Sequence, residues 1–146
     1  MEKITAILDK RQTHFNKISP DCSISEALYR MSSQKNMEYL IVVDDDEKFL
    51  GLLTEHDVAR KTLLSRLPVE NTSVQAIMNT RFPFADVEDT VEHCMRLMKQ
   101  YNTRYLPVFD GFRFRGIISG DDILEEAVYS RVGIFDEVEE EAPAFY

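Results

Sequence analysis

The sequence predicts an α+β fold built from two copies of one unit. The heptad GLLTEHD at residues 51–57 returns as GIISGDD at residues 116–122, with the glycine, two aliphatic residues, a hydroxyl residue and an aspartate in matching places. Upstream, SISEALYRM at 23–31 matches TVEHCMRLM at 90–98. Internal repetition at nearly constant spacing is typical of a duplicated structural unit. We therefore expect two repeats packed into one pseudo-two-fold symmetric body.

The first helix of each repeat is predicted from SISEALYRM and TVEHCMRLM. Apolar residues at helical spacing predict one buried stripe on each helix, and Ser23 and Thr90 stand where N-caps are expected. In the first helix the stripe is Ile24, Ala27, Leu28 and Met31; in the second it is Val91, Cys94, Met95 and Met98.

Two strands are predicted after each of these helices. NMEYLIVVD (36–44) and NTRYLPVFD (102–110) have the aromatic and β-branched content of buried strands. DDEKFLGLL and GFRFRGII follow as second strands, entered by DDDE and DG sequences that suit tight turns. A short extended piece, near 17–19 or 83–85, precedes each repeat's first helix.

The second strand of the later repeat alternates aromatic and basic residues. Phe112 and Phe114 fall on one face and Arg113 and Arg115 on the other, because side chains alternate along a strand. An RNA-reading surface would expose rings and basic groups together. We therefore expect the rings in the core and the arginines in solvent.

Each heptad opens a further helix. The apolar positions are Val58, Leu63 and Leu64 in the first copy and Ile123, Leu124, Ala127 and Val128 in the second. VQAIM at 74–78 is predicted as a short helix capped by Thr72 or Ser73, and ITAIL at 4–8 is its counterpart.

These patterns predict the organisation of the whole chain. A unit of about 60 residues buries little surface alone, so two units should pack together. Residues 1–66 are predicted to form the first repeat with its N-terminal helix, 67–73 a linker, 74–131 the second repeat and 132–146 an acidic tail.

Composition narrows the class of protein. The 146 residues are 44% hydrophobic and 29% charged, the balance of a soluble globular protein. The net charge is −9, of which −5 lies in the last 15 residues, and this balance disfavours a nucleic acid partner, which binds a basic surface. Without a long apolar run, we expect a cytoplasmic protein with no membrane partner. Cys22 and Cys94 are predicted to be reduced structural thiols.

The heptads have two interpretations. Thr54 and Ser119 are predicted N-caps, and Asp57 and Asp122, three residues on, stand where a capping-box acid reaches back. Alternatively, a helix start attracts phosphate, and the aspartate accepts the hydroxyls of a ribose. The spacing by itself favours the cap, although a cap does not explain why a glycine recurs in both heptads.

A catalytic or metal site is not predicted. His14, His56 and His93 are scattered, and Glu55, His56 and Asp57 are consecutive, so on a helix their side chains point about 100° apart. The sequence contains no P-loop or Rossmann fingerprint. We therefore expect no enzyme and no required cofactor.

The assembled pattern resembles the cystathionine beta-synthase (CBS) domain family, whose paired repeats form a Bateman module. The heptads, RYLPVFD, the helix starts SISEAL and TVEHCM, and VQAIM carry the resemblance, which covers about residues 3–130. It implies a βαββα fold per repeat, with clefts at the junction of the repeats, and flat homodimers. It also implies a regulatory module that binds adenosine derivatives.

The resemblance also implies site residues. The hydroxyl and aspartate of each heptad would hold phosphate and ribose, the extended segments would line the base through backbone and apolar contacts, and a basic residue would lie near the phosphates. The corresponding residues are Thr54, Asp57, Ser119, Asp122, Ile18, Ser19, Phe84, Ala85 and Arg104.

The ligand stays open among AMP, ADP, ATP and S-adenosylmethionine. Asp121 beside Asp122 adds repulsion towards a phosphate unless Mg²⁺ or a nearby arginine offsets it. That repulsion predicts either weaker binding in that copy or a ligand with little negative charge, such as S-adenosylmethionine. We expect the module to act on a partner protein, with the acidic tail as a candidate contact. The alternative is a dimeric interaction scaffold that kept the fold and the caps but binds no ligand.

Overall fold

A computed structural model of the chain describes residues 3–10, 16–33 and 38–130. Within these ranges the fold is α+β, with two three-stranded sheets and helices from both repeats. The elements are α1 (Thr5–Lys10), β1 (Lys17–Ile18), α2 (Ile24–Ser33), β2 (Tyr39–Val43), β3 (Phe49–Thr54), α3 (Glu55–Ser65), a 3₁₀ turn (Val74–Ala76), β4 (Ala85–Asp86), α4 (Val91–Tyr101), β5 (Tyr105–Asp110), β6 (Arg113–Ser119) and α5 (Gly120–Ser130).

The two sheets have the same topology. In the first, β1 runs parallel to β2 and β2 antiparallel to β3. In the second, β4, β5 and β6 repeat that arrangement. Tyr39 lies opposite Thr54 and Tyr105 opposite Ser119, so both heptads end their strand at the same register. The prediction of two α+β repeats is confirmed.

The helix caps of α2 and α4 are as predicted. The Ser23 hydroxyl accepts the Glu26 amide at 3.1 Å, and the Thr90 hydroxyl accepts the His93 amide at 3.2 Å. Ser73 stands before the 3₁₀ turn, but its side chain makes no cap bond. VQAIM therefore forms only a short 3₁₀ turn over Val74–Ala76.

Several apolar helix positions are more exposed than the sequence predicts. Leu28 and Met95 were expected in buried stripes but are 36% and 53% exposed, because the buried face of each helix is narrower than the apolar pattern. On the helices after the heptads, Val58 and Ile123 point inward. The large apolar residues that are exposed on α2, α3, α4 and α5 are Leu28, Tyr29, Leu63, Leu64, Met95, Tyr101, Leu124 and Val128.

The turn between β5 and β6 also corrects the sequence prediction. Asp110 and Arg113 pair, so the loop is Gly111–Phe112, and the positive φ of Gly111 (61°) fits the first position of a type II′ turn. Phe112 therefore lies at the hairpin tip, fully exposed, and not in the core. Phe114 is half-buried and packs edge-to-face on Phe109. Arg113 and Arg115 are exposed, as expected.

The described residues form two compact units, each with its own core. The first unit consists of residues 16–33 and 38–82, and the second of residues 3–10 and 83–130. The first core includes Ile18, Ile24, Ala27, Met31, Leu40, Val42, Leu53, Val58, Val74 and Ile77. The second includes Ile4, Ile7, Ala85, Val87, Cys94, Met98, Leu106, Val108, Ile118 and Ile123.

The N-terminal helix belongs to the second unit by its contacts. Ile4 and Ile7 are buried in the second core, and the Ile4 amide donates to the Asp89 carbonyl at 3.1 Å. The predicted range 1–66 places this helix with the first repeat, so chain order and packing differ here. The acidic tail, 132–146, lies outside the described residues.

Candidate functional site

Each heptad forms a strand end that runs directly into a helix start. Thr54 ends β3 in an extended conformation (φ −100°, ψ 155°) and is the N-cap of α3. Ser119 ends β6 and precedes α5 in the same way. Both hydroxyls accept the amide three residues on, from Asp57 and Asp122, each at 3.1 Å. The capping role expected of both hydroxyls is confirmed.

The two aspartates, in contrast, are placed differently. The Asp122 carboxylate accepts the Ser119 amide at 2.8 Å, which completes a reciprocal capping box. The Asp57 carboxylate makes no such bond, and it has no hydrogen-bond or ion-pair partner within residues 3–10, 16–33 and 38–130. Asp57 is therefore available to an external donor, whereas Asp122 is already engaged in the cap.

The first heptad glycine is explained by packing. A Cβ on Gly51 would lie 3.0 Å from the Asn79 carbonyl oxygen and 3.2 Å from the Met78 sulfur. The Asn79 backbone approaches because Leu52 and Asn79 exchange two hydrogen bonds, at 3.0 and 2.8 Å. Close backbone approach thus accounts for Gly51 without a ligand.

Arg104 lies beside the second heptad. Its carbonyl accepts the amide of Gly120, the first residue of α5, at 2.9 Å, and its side chain is exposed. Glu38 holds the same place in the first unit, where its carbonyl accepts the Glu55 amide at 3.1 Å. Sequence reasoning selected Arg104 but missed Glu38. The alignment of NMEY with NTRY contained the signal, because it pairs an acid with an arginine.

Two of the residues predicted to line the base, Ile18 and Ala85, have buried side chains. Ile18 and Ala85 lie opposite Val42 and Val108, so they are equivalent. Both are buried in the cores of their units, which leaves only their backbone to contact a ligand.

Their neighbours Ser19 and Phe84 are more accessible. Phe84 is 60% exposed and packs edge-to-face on Phe109, with ring centroids 5.8 Å apart. The Ser19 hydroxyl accepts the Asp21 amide at 3.3 Å. By register, Phe84 corresponds to Lys17 and Ser19 to Asp86, so the two extended segments differ chemically where they are accessible.

The structure thus divides the predicted site residues between the two units. The first unit contains Ile18, Ser19, Thr54 and Asp57, and the second contains Phe84, Ala85, Arg104, Ser119 and Asp122. In each sheet, the central strand pairs with the extended segment on one side and with the heptad strand on the other. Its residue opposite Ile18 or Ala85 lies three positions from its residue opposite the heptad hydroxyl, a distance of about 10 Å.

The described residues include two cysteines that are not in a disulfide. Burial, reinforced by the Asp89 charge, raises the pKa of the Cys94 thiol to about 12, so this thiol is un-ionised at neutral pH. Cys22 is a half-buried free thiol. In the part of the chain that the structure describes, no three His, Cys, Asp or Glu side chains are grouped to hold a metal ion. His14 lies outside that part.

The helices are also short relative to a lipid bilayer. Of the helices in the described ranges, none is long and apolar enough to cross a membrane.

Known structures share this architecture. A crystal structure of a CBS domain protein, NE2398, superposes with a TM-score of 0.78 at 34% identity, over 88% of this chain and 99% of that one. The CBS domain pair of MJ0100, solved with 5′-methylthioadenosine and S-adenosyl-L-methionine, has a TM-score of 0.69 at 26% identity, over 85% and 96%. CBSX2, solved with AMP, has a TM-score of 0.75 at 19% identity, over 90% and 99%.

Sequence relatives are longer proteins. MJ1404 of Methanocaldococcus jannaschii is 28% identical over 94% of this chain, which spans 34% of that protein. A homoserine O-acetyltransferase of Methanococcus vannielii is 31% identical over 75% of this chain, which spans only 22% of that enzyme. The matched parts are therefore a minor fraction of each relative.

The family model of the CBS domain matches twice, at residues 12–64 and 74–129. Each match contains one three-stranded sheet and one heptad whose hydroxyl caps a helix. On this double match, and on the shared fold, the chain belongs to the CBS domain family.

Proposed function

We propose that this protein is a regulatory module that binds an adenosine derivative at the helix starts of its two heptads and transmits the binding to a partner protein. The observation that carries the proposal is the paired hydroxyl and aspartate that follow a strand in both units. MJ0100 and CBSX2, two proteins of this fold, were solved with adenosine derivatives, which supports this ligand class.

The chemistry of the residues fits such a ligand. Each capping hydroxyl accepts a backbone amide, which leaves its own proton to donate to a phosphate or ribose oxygen. A carboxylate one turn away accepts the two hydroxyls of a ribose. Arg104 supplies a cation beside the second helix start, and Phe84 supplies an exposed ring at the extended segment. Both would contact the ligand in the second unit.

Thermal unfolding tests the proposal. A ligand at about 100 times its dissociation constant adds about 2.7 kcal/mol, which should raise the midpoint by roughly 5 to 10 °C for a chain of this length. AMP, ADP, ATP with Mg²⁺ and S-adenosylmethionine are the ligands, with GTP as the control. We expect shifts with adenosine derivatives alone, reduced in Asp57→Ala or Asp122→Ala. No shift with any of them would refute ligand binding.

One observation favours the alternative function, a ligand-free interaction scaffold. The capping box of Ser119 and Asp122 is complete without any ligand, so stability alone explains both residues in that copy. A scaffold would show no thermal shift but would still bind its protein partner, which separates the two functions.

We further propose that a second copy of the chain covers the exposed helix faces. Leu28 and Met95 occupy equivalent positions in the two repeats, as do Leu63 and Val128, and all four are exposed. Each unit therefore exposes apolar side chains on two helices, which a symmetric dimer would bury. Sedimentation of Leu63→Glu should show a monomer where the unmodified chain is a dimer. A monomeric unmodified chain would contradict this.

A further inference from the structure

The two helix starts differ in the charge that surrounds them. Glu38 and Arg104 occupy the same place, because the carbonyl of each accepts the first amide of the following helix, at 3.1 and 2.9 Å. They bear opposite charges at pH 7. The neighbouring strand residues pair identically in the two units, so backbone geometry does not distinguish the two places.

Backbone amides alone offer little to an anion at either helix start. The first amide of each helix is bonded to the strand carbonyl just described, and the third to the capping hydroxyl. Of the first three amides, only the second, that of His56 or Asp121, is left for an external anion. Side-chain charge must therefore decide whether a phosphate binds.

The side chains favour opposite ligands. In the first unit, three acidic residues belong to the helix start: Glu55 and Asp57 in the first turn, and Glu38, whose carbonyl accepts the Glu55 amide. In the second, Asp121 and Asp122 lie in the first turn, and the residue in the place of Glu38 is Arg104, whose guanidinium suits phosphate oxygens. A Cβ at Gly120 would meet no atom within 4 Å, so open space exists there, whereas the first unit has the Glu55 side chain in that position.

We propose that this difference sorts ligands by charge between the two repeats. The Ser119–Asp122 site takes an adenosine nucleotide whose phosphate pairs with Arg104. The Thr54–Asp57 site takes an adenosine derivative without a phosphate, and Asp57, whose carboxylate has no partner in the described ranges, accepts the ribose hydroxyls. The inference rests on the proposed function, since it requires adenosine binding at both helix starts.

Isothermal titration with two matched ligands tests this sorting. AMP and 5′-methylthioadenosine share the adenosine group and differ in the phosphate. Arg104→Glu should weaken AMP about 10- to 100-fold and leave 5′-methylthioadenosine unchanged. Glu38→Arg should create a second AMP site that Asp57→Ala then removes. In the unmodified chain, Asp57→Ala should weaken 5′-methylthioadenosine selectively.

Arg113→Glu is the matched control. It makes the same charge change in the same unit, but Arg113 lies six residues along β6 from Ser119, a distance of about 20 Å, where salt screens the effect. Equal weakening of AMP by Arg113→Glu and Arg104→Glu would overturn the sorting. So would loss of 5′-methylthioadenosine binding in Asp122→Ala alone. Binding of neither ligand by the unmodified chain would overturn the proposed function itself.

Discussion

The two repeats share one topology but complete their cores in different ways. The first unit uses Val74 and Ile77, which follow α3 after the connection at residues 66–73. The second uses Ile4 and Ile7, which come from the chain segment ahead of the first repeat. Duplicated sequence therefore does not imply the same chain connections, because the second core depends on residues far ahead of its own strands in the sequence.

The heptads show a second contrast. Thr54 and Ser119 cap their helices alike, yet Asp122 completes its capping box and Asp57 does not. Hydrogen bonding within the cap therefore accounts for both polar residues of the second heptad but only for the hydroxyl of the first. The Asp57 carboxylate favours the helix start by its charge alone.

The largest expected effect tests the contribution of Ile4 to the core of the second unit. Ile4→Ala removes a fully buried side chain and should lower the free energy of unfolding by about 2 to 5 kcal/mol, since the loss of apolar contact is joined by a cavity. Urea denaturation measures the change. Asp9→Ala, at an exposed position of α1, which Ile4 directly precedes, is the control. Equal stability of Ile4→Ala and the unmodified chain would mean that α1 is not part of that core.

Two glycine substitutions test the packing of the first heptad. Gly51→Ala places a Cβ 3.0 Å from the Asn79 carbonyl oxygen, so the backbone must shift, and about 1 to 3 kcal/mol should be lost. Gly120→Ala meets open space and should be neutral or slightly stabilising, since alanine favours a helix. Thermal unfolding compares them. A harmless Gly51→Ala would contradict the close approach of Asn79.

The difference in hydrogen bonding between Asp57 and Asp122 predicts a smaller difference in stability. Without ligand, Asp122→Ala should cost about 1 kcal/mol more than Asp57→Ala, because only Asp122 accepts the N-cap amide. Both variants also lose a favourable charge at a helix N-terminus, which cancels in the comparison. Equal losses in urea denaturation would show that the two caps are equivalent in solution.

The smallest effect distinguishes the two thiols. Unfolded Cys94 ionises near its ordinary pKa of 9.0, whereas the folded thiol stays neutral up to about 12, so its contribution to stability is present below pH 9 and is lost as pH rises towards 12. The loss at pH 9.5 should be under about 1 kcal/mol. Stability measured from pH 8 to 10 should fall less in Cys94→Ala than in Cys22→Ala. Parallel curves would argue against a buried, neutral Cys94.

Much of the fold followed from local patterns. Repetition, helical spacing and strand composition predicted both repeats, and a hydroxyl before an apolar run located the caps at Ser23, Thr54, Thr90 and Ser119. These features depend on neighbours within a few residues, so the sequence contains the information directly. The prediction that Phe112 lies in the core was wrong, because it extended the alternation of strand side chains into a turn, where Gly111 redirects the chain.

Other features depended on tertiary contacts. The burial of Ile4 in the second core, the approach of Asn79 to Gly51 and the exposure of Leu63 each depend on which distant segment packs nearby. The hydrogen bonding of the two aspartates also differs in the structure, although both stand three residues after the capping hydroxyl. By itself, the sequence determined the repeats, their elements and the capping hydroxyls, because short-range sterics and hydrogen bonds define those. Only the tertiary structure decided which segments complete each core and which aspartate is left unengaged, because these depend on contacts between residues far apart in the chain.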